Sequence, residues 1–105
     1  MSILAGLYRI VEENDNTVLI ELASEDHPVF KAHFPSYPIL PGFALIDIVA
    51  DCLNDVIVSI KMAKFIVHVK PDDRLSLEVK RSAKGRTVQI FKNKQKVSEI
   101  RYETM

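Results

Sequence analysis

Apolar and polar residues alternate along several short stretches of the chain, and a period of two is typical of strands with one buried face. Residues 18–22 show this alternation after a turn cluster at residues 14–16. Turn residues at 84–85 and 93–94 separate further alternating segments. The pattern therefore predicts strands over residues 8–11, 18–22, 57–69, 75–79, 87–90 and 100–102.

One segment follows a different period. Over residues 42–56 the apolar side chains cover most of a helical cylinder, which is typical of a largely buried helix. Asp47, Asp51 and Asn54 form its one narrow polar stripe. One such helix among many strands predicts an α+β fold, in which an antiparallel β-sheet wraps around one long central helix. The chain length fits a single domain, residues 1–105.

The segment before this helix carries the candidate chemistry. Residues 24–42 hold four of the five prolines, which predicts a shaped loop without a regular helix. His33 lies in this loop, and the first N–H groups of the following helix, from Gly42, can hold a carbonyl oxygen that becomes an oxyanion. With Asp47 in an apolar setting, these groups indicate an acid–base site. Taken alone, they also fit a surface histidine and a solvated helix face.

Composition narrows the function classes. A single cysteine, Cys52, excludes a disulfide scaffold and a zinc site built on cysteine pairs. The three histidines lack metal-ligand spacing, so no metal is expected. We recognise no nucleic-acid signature, no secretory leader and no apolar run long enough to span a bilayer, which predicts a cytoplasmic protein.

The charges are unevenly distributed although the net charge is zero. Residues 1–60 hold two basic residues against nine acidic ones, and residues 61–105 hold twelve against five. This asymmetry fits charge balance within the fold, or an acidic partner. The candidate contacts for such a partner are Lys80, Arg81, Lys84 and Arg86.

The loop resembles a known active-site sequence. The run HFPxxPxxPG, present as His33 to Gly42 and followed by an acid at Asp47, is similar to that of the β-hydroxyacyl-acyl-carrier-protein dehydratases, the FabZ/FabA-like enzymes with the hotdog fold. The likeness extends from about Tyr8 to Tyr102. It implies the hotdog fold, and the short chain is also similar to members that serve specialised pathways such as aryl polyene synthesis.

The resemblance implies a role for each matched residue. His33 would remove the C2 proton of a 3-hydroxyacyl thioester, and protonated Asp47 would give its proton to the departing 3-hydroxyl. The Gly42 amide would polarise the thioester carbonyl. The residues expected to contact the substrate are Phe34, Pro41, Phe43 and Phe65.

The resemblance also implies the partners of the site. The substrate would be carried on the 4'-phosphopantetheine of an acidic acyl carrier protein or of CoA, with no other cofactor. The family's histidine and acid come from different protomers, so we expect a homodimer with shared sites, or a higher oligomer. Asp51 stands where the family usually has glutamine, and we expect its charge to help keep Asp47 protonated.

Two other functions fit the same sequence. A hotdog thioesterase also uses a helix N-terminus and an acid on the central helix, but it does not need His33 in a proline-rich loop. A non-catalytic acyl-binding subunit fits the short chain, whereas the presence of both His33 and Asp47 opposes it.

Overall fold

The described part of the chain consists of six strands and two helices. A computed structural model gives the structure of residues 4–32 and 36–105. The strands are β1 (Tyr8–Glu13), β2 (Thr17–Leu22), β3 (Ile57–Phe65), β4 (Arg74–Arg81), β5 (Gly85–Lys92) and β6 (Gln95–Thr104), and the helices are α1 (Pro28–Ala32) and α2 (Gly42–Leu53).

The strands form one antiparallel sheet in the order β1-β2-β4-β5-β6-β3. The alternation predicted near the start of the chain is confirmed, because Val18, Ile20 and Leu22 are all buried. Leu75 of β4 is buried in the same core. Strands β1 and β3 lie at the two edges of the sheet, and β3 presents Val58 and Ile60 to solvent.

Helix α2 fills the core that the sheet covers. Its buried residues are Ala44, Leu45, Ile48, Val49 and Cys52. The helix ends at Leu53, so the prediction of a long helix over residues 42–56 is wrong at its C-terminal end. Asn54 has a left-handed φ of 56°, and the N–H groups of Asn54 and Asp55 bond to carbonyls of the last turn, which stops the helix. In the described part of the chain, no helix is long and apolar enough to cross a membrane.

A largely buried ion pair attaches the C-terminal end of α2 to the sheet. Arg86 Nε lies 3.3 Å from Asp55 Oδ2, and the two side chains are 19% and 6% exposed. The Tyr102 hydroxyl donates a hydrogen bond to the same carboxylate. Burial raises the pKa of Tyr102, and Asp55 raises it further. The network therefore links the chain just after α2 to β5 and β6.

Helix α1 lies within the proline-rich segment, where no regular helix was predicted. The prediction fails because Pro28 occupies the first helical position, where its missing N–H is not needed and its fixed φ suits the helix. Val29 and Phe30 are buried and anchor this short helix in the core. Helix α1 ends at Ala32, the residue before His33.

Candidate functional site

An apolar cavity of about 390 Å³ lies at the N-terminal end of α2. Three of the side chains predicted to contact substrate line it: Pro41, Phe43 and Phe65. The fourth, Phe34, lies outside the described residues. A larger depression of about 500 Å³ on the solvent-facing side of β4 is lined by Lys80 and Arg81 but by none of the residues predicted for catalysis or substrate binding. The cavity at α2 is therefore the candidate site.

Gly42 begins α2 at the wall of this cavity. The N–H groups of Ala44 and Leu45 donate to the Pro41 carbonyl, whereas we find no hydrogen bond from the Gly42 N–H within residues 4–32 and 36–105. The helix dipole adds positive potential at this end. The Gly42 amide can thus donate to a carbonyl oxygen in the cavity.

Glycine at position 42 allows the ring of Phe65 to pack against the start of α2. A Cβ there would lie 2.8 Å from Phe65 Cζ, closer than side-chain atoms normally approach. The close contact forms because β3 ends beside the start of α2, and Phe65 is the last residue of β3. The ring therefore covers the first turn of α2 and forms part of the cavity wall.

Asp47 does not line the cavity of its own chain. It lies five residues after Gly42, about 7.5 Å further along the helix axis and on a different side of the helix. Its side chain is exposed in the single chain, and so is Phe43. The expectation that Asp47 is buried among apolar neighbours is therefore wrong for one copy of the chain, because no other element within residues 4–32 and 36–105 covers its side chain.

Asp51 has a partner that the sequence did not indicate. The Tyr8 hydroxyl donates a hydrogen bond of 2.6 Å to Asp51 Oδ2 and so joins β1 to α2. Burial raises the pKa of Tyr8, and Asp51 raises it further, so the phenol keeps the proton that it donates. The adjacent Cys52 thiol is buried, which raises its pKa to about 12, with a further contribution from Asp51. The thiol therefore stays protonated at neutral pH.

The predicted base, His33, lies outside the described residues. The chain on either side of it is well anchored. Phe30 in α1 is fully buried, and the Leu40 N–H donates to the Val69 carbonyl at 2.7 Å. The structure thus fixes the chain at Phe30 and at Leu40, on either side of His33.

A histidine that the sequence analysis did not single out, His68, lines the cavity. His68 follows β3, and its ring centroid lies 6.4 Å from that of Tyr37. The Lys70 ammonium lies 5.5 Å from the centre of the same Tyr37 ring. No local pattern distinguishes His68 in the sequence, because its position depends on contacts between distant segments. Within the described ranges, no three histidine, cysteine or acidic residues converge so as to hold a metal ion.

The predicted contacts for an acidic partner lie far from the cavity of their own chain. Lys80, Arg81 and Lys84 flank the turn between β4 and β5, and Arg86 is paired with Asp55 beyond the C-terminal end of α2. The cavity is at the opposite end of that helix. Arg86 is therefore a structural residue rather than a free contact.

Comparison with known proteins identifies the family. The model of the ApeI-like family, described as the ApeI dehydratase, matches residues 10–101. The 3-hydroxyacyl-[acyl-carrier-protein] dehydratase FabZ of Thermotoga neapolitana is 37% identical over 92 residues, which cover 77% of this chain and 67% of that protein. The FabZ of Thermotoga maritima is 34% identical with the same coverage. The chain belongs to the ApeI-like dehydratase family.

Solved structures agree on the fold. The dehydratase heterocomplex ApeI:P from Xenorhabdus doucetiae aligns with a TM-score of 0.68 at 24% identity, over 92% of both chains. A variant of a Staphylococcus aureus thioesterase aligns with a TM-score of 0.62 at 20% identity, over 97% of this chain and 95% of that one. Both support the hotdog fold, with a shorter helix than the sequence predicted. The enzyme class, dehydratase, comes from the family match.

Proposed function

We propose that this chain dehydrates a 3-hydroxyacyl thioester, carried on an acyl carrier protein, to the trans-2-enoyl thioester. The observation that carries the proposal is the Gly42 amide at the wall of an apolar cavity, in a chain whose relatives are named for this reaction. The apolar wall suits an acyl chain, and the amide suits the thioester carbonyl. No cofactor is needed for this elimination, because acid–base groups suffice.

Each proton in the reaction has a candidate residue. His33 takes the C2 proton as a general base, and the electron pair forms the C2–C3 double bond as the C3–O bond breaks. Asp47 donates a proton to the departing hydroxyl, which leaves as water. The Gly42 N–H stabilises the negative charge on the thioester oxygen during proton removal. The two side chains then exchange protons with solvent to restore their starting states.

The position of Asp47 supports a site shared between two copies. Because Asp47 lies outside the cavity of its own chain, the acid for each cavity comes from the other copy. Edge strand β3 offers the contact surface, since Val58 and Ile60 are 64% and 48% exposed and an edge strand has unpaired backbone groups. We therefore propose a homodimer in which the two sheets join at β3.

The proposed dimer also offers a docking surface for the acidic carrier protein. A two-fold axis through the β3 edges runs the strands antiparallel, so the Ile57 end of one copy lies beside the Phe65 end of the other. Thr104, which pairs with Ile57, donates its N–H to the Lys84 carbonyl. The basic turn of one copy, with Lys80, Arg81 and Lys84, thus comes to the same end of the dimer as the partner's cavity. Such a surface suits an acidic carrier in the cytoplasm.

Complementation tests the reaction and the shared site together. His33→Ala and Asp47→Asn each lower turnover of a 3-hydroxyacyl thioester by at least about 100-fold without unfolding the chain. Mixing the two inactive variants restores part of the activity, because one site of the heterodimer then has both wild-type groups. Absence of recovery after verified subunit exchange contradicts the shared site.

The products separate the proposed reaction from its alternatives. A gain of absorbance from the conjugated enoyl thioester, without free thiol, supports the dehydratase. Release of thiol supports a thioesterase instead. Binding of the thioester with no change in either signal supports an acyl-binding subunit.

A further inference from the structure

His27 joins three parts of the chain just before the predicted base. Its Nδ1 accepts a hydrogen bond of 3.1 Å from the Val29 N–H, inside the first turn of α1. Its Nε2 lies 2.8 Å from the carbonyl oxygen of Ala5 in the N-terminal segment. A carbonyl only accepts, so Nε2 carries the proton and Nδ1 is free to accept from Val29. Both ring nitrogens are therefore used, in one tautomer.

The backbone of His27 completes the same cap. Its carbonyl accepts from the N–H groups of Phe30 at 3.0 Å and Lys31 at 3.2 Å. A five-residue helix is too short to be stable by itself, so its geometry depends on these bonds and on the buried Phe30 ring. The ring bond to Ala5 adds a connection to the N-terminal segment that the backbone of α1 does not supply.

We propose that His27 is a positioning residue for the general base, an inference that rests on the proposed function. Ala32, the last residue of α1, is covalently followed by His33, and adjacent Cα atoms are about 3.8 Å apart. A shift or rotation of α1 therefore moves the backbone that carries the base. Because proton removal depends on placement within about 1 Å, the His27 imidazole acts on the reaction without touching the substrate.

Two substitutions separate the roles of the ring. His27→Ala removes both ring bonds, and we expect kcat to fall at least about tenfold with KM changed less than threefold. His27→Asn keeps a good helix cap, since its side-chain oxygen can accept from the Val29 N–H, but it is too short to reach Ala5. We expect His27→Asn to recover at least about threefold of the kcat lost in His27→Ala and to remain at least about twofold below Val18→Ala, because the bond to Ala5 is still absent.

A control that loses stability at a site remote from α1 keeps the test specific. Val18→Ala in β2 removes buried methyl groups remote from α1, and we expect a lower melting temperature with kcat near that of wild type. All rates are measured at a temperature where each variant is folded. If His27→Ala does not fold, His27→Asn against Val18→Ala decides the question. A kcat in the His27 variants no lower than in Val18→Ala overturns the proposal, as does a change confined to KM.

One further measurement does not depend on activity. Hydrogen exchange of the Val29, Phe30 and Lys31 amides should be at least tenfold faster in His27→Ala than in wild type. Unchanged exchange overturns the positioning role even if the proposed reaction is correct. If the wild-type protein does not dehydrate the thioester but exchange is faster in His27→Ala, the proposed function is wrong. The faster exchange then still supports His27 as the cap of α1.

Discussion

The ring of Phe65 lies directly against the α-carbon of Gly42, so that an added Cβ would come within 2.8 Å of its Cζ. Phe65 is half exposed, and the ring can turn outward. We therefore expect Gly42→Ala to fold with nearly unchanged stability and to lose at least about tenfold in kcat/KM, because the cavity wall is displaced.

The companion variant Phe65→Leu shows whether this contact is the cause. Leucine lacks the ring atoms that meet the new methyl group. The double variant should have a kcat/KM close to that of Phe65→Leu alone, a non-additive result expected of two residues in contact. Fully additive losses would contradict this explanation.

Removing Arg86 should destabilise the fold strongly. Asp55 is 6% exposed, and without Arg86 its carboxylate would be buried without a counter-charge. We expect Arg86→Met to lower the free energy of unfolding by about 3–5 kcal/mol in urea denaturation. Adding Asp55→Asn to Arg86→Met should recover part of this loss. A double variant with a lower free energy of unfolding than Arg86→Met would contradict the ion-pair argument.

The sequence predicted the strands better than the helices. Alternation revealed β2 and β4 because each buries one face. Helix α1 was not predicted because a high density of prolines argues against a helix, whereas Pro28 suits the first helical position. The end of α2 was misplaced because the left-handed backbone of Asn54 gives only a weak signal in a single sequence. Apolar residues continue to Val56, and this continuation concealed the cap.

Part of the predicted site lies together at one cavity, and the roles of its residues stay predictions. Pro41, Gly42 and Phe43 are consecutive in the chain, so one motif predicts that they lie together. Phe65 was predicted from the family resemblance. The approach of His68 to the cavity depends on packing between distant segments, which a local pattern does not predict. In the proposed homodimer, the surroundings of Asp47 also depend on the second copy.

The free energy of unfolding should decrease at alkaline pH because Tyr102 loses its proton. Its pKa is raised in the folded state above the ordinary value of 10.0, so the folded protein retains this proton longer than the unfolded chain does. The resulting stabilisation is complete below about pH 10 and is lost as the pH rises toward the folded pKa, by at most about 1.4 kcal/mol for each pH unit.

Tyr102→Phe tests this pH dependence. Tyr8 and Cys52 add to the alkaline slope of the wild type, because their pKa values are also raised. The informative quantity is therefore the difference in free energy of unfolding between wild type and Tyr102→Phe, measured from pH 8 to pH 11. A difference that stays constant above pH 10 would contradict the assignment.

Asp72 offers a substitution that should stabilise the protein. It has a φ of 66° in the turn before β4, a conformation that glycine adopts without cost. We expect Asp72→Gly to raise the free energy of unfolding by about 0.5–1 kcal/mol and Asp72→Ala to lower it. Thermal unfolding of the two variants gives the comparison, and an equal effect of glycine and alanine would show that backbone strain is not the cause.

The two edges of the sheet set a limit on the growth of any assembly. Strand β1 has an irregular register between Ile10 and Glu12, and it carries the exposed charges of Arg9 and Glu13. Such an edge resists the addition of a further strand. Strand β3, with its exposed apolar residues, is the edge through which the proposed homodimer forms. In that homodimer the β3 edges of both copies are paired, so the side-by-side joining of sheets stops at two chains and does not continue into a fibre.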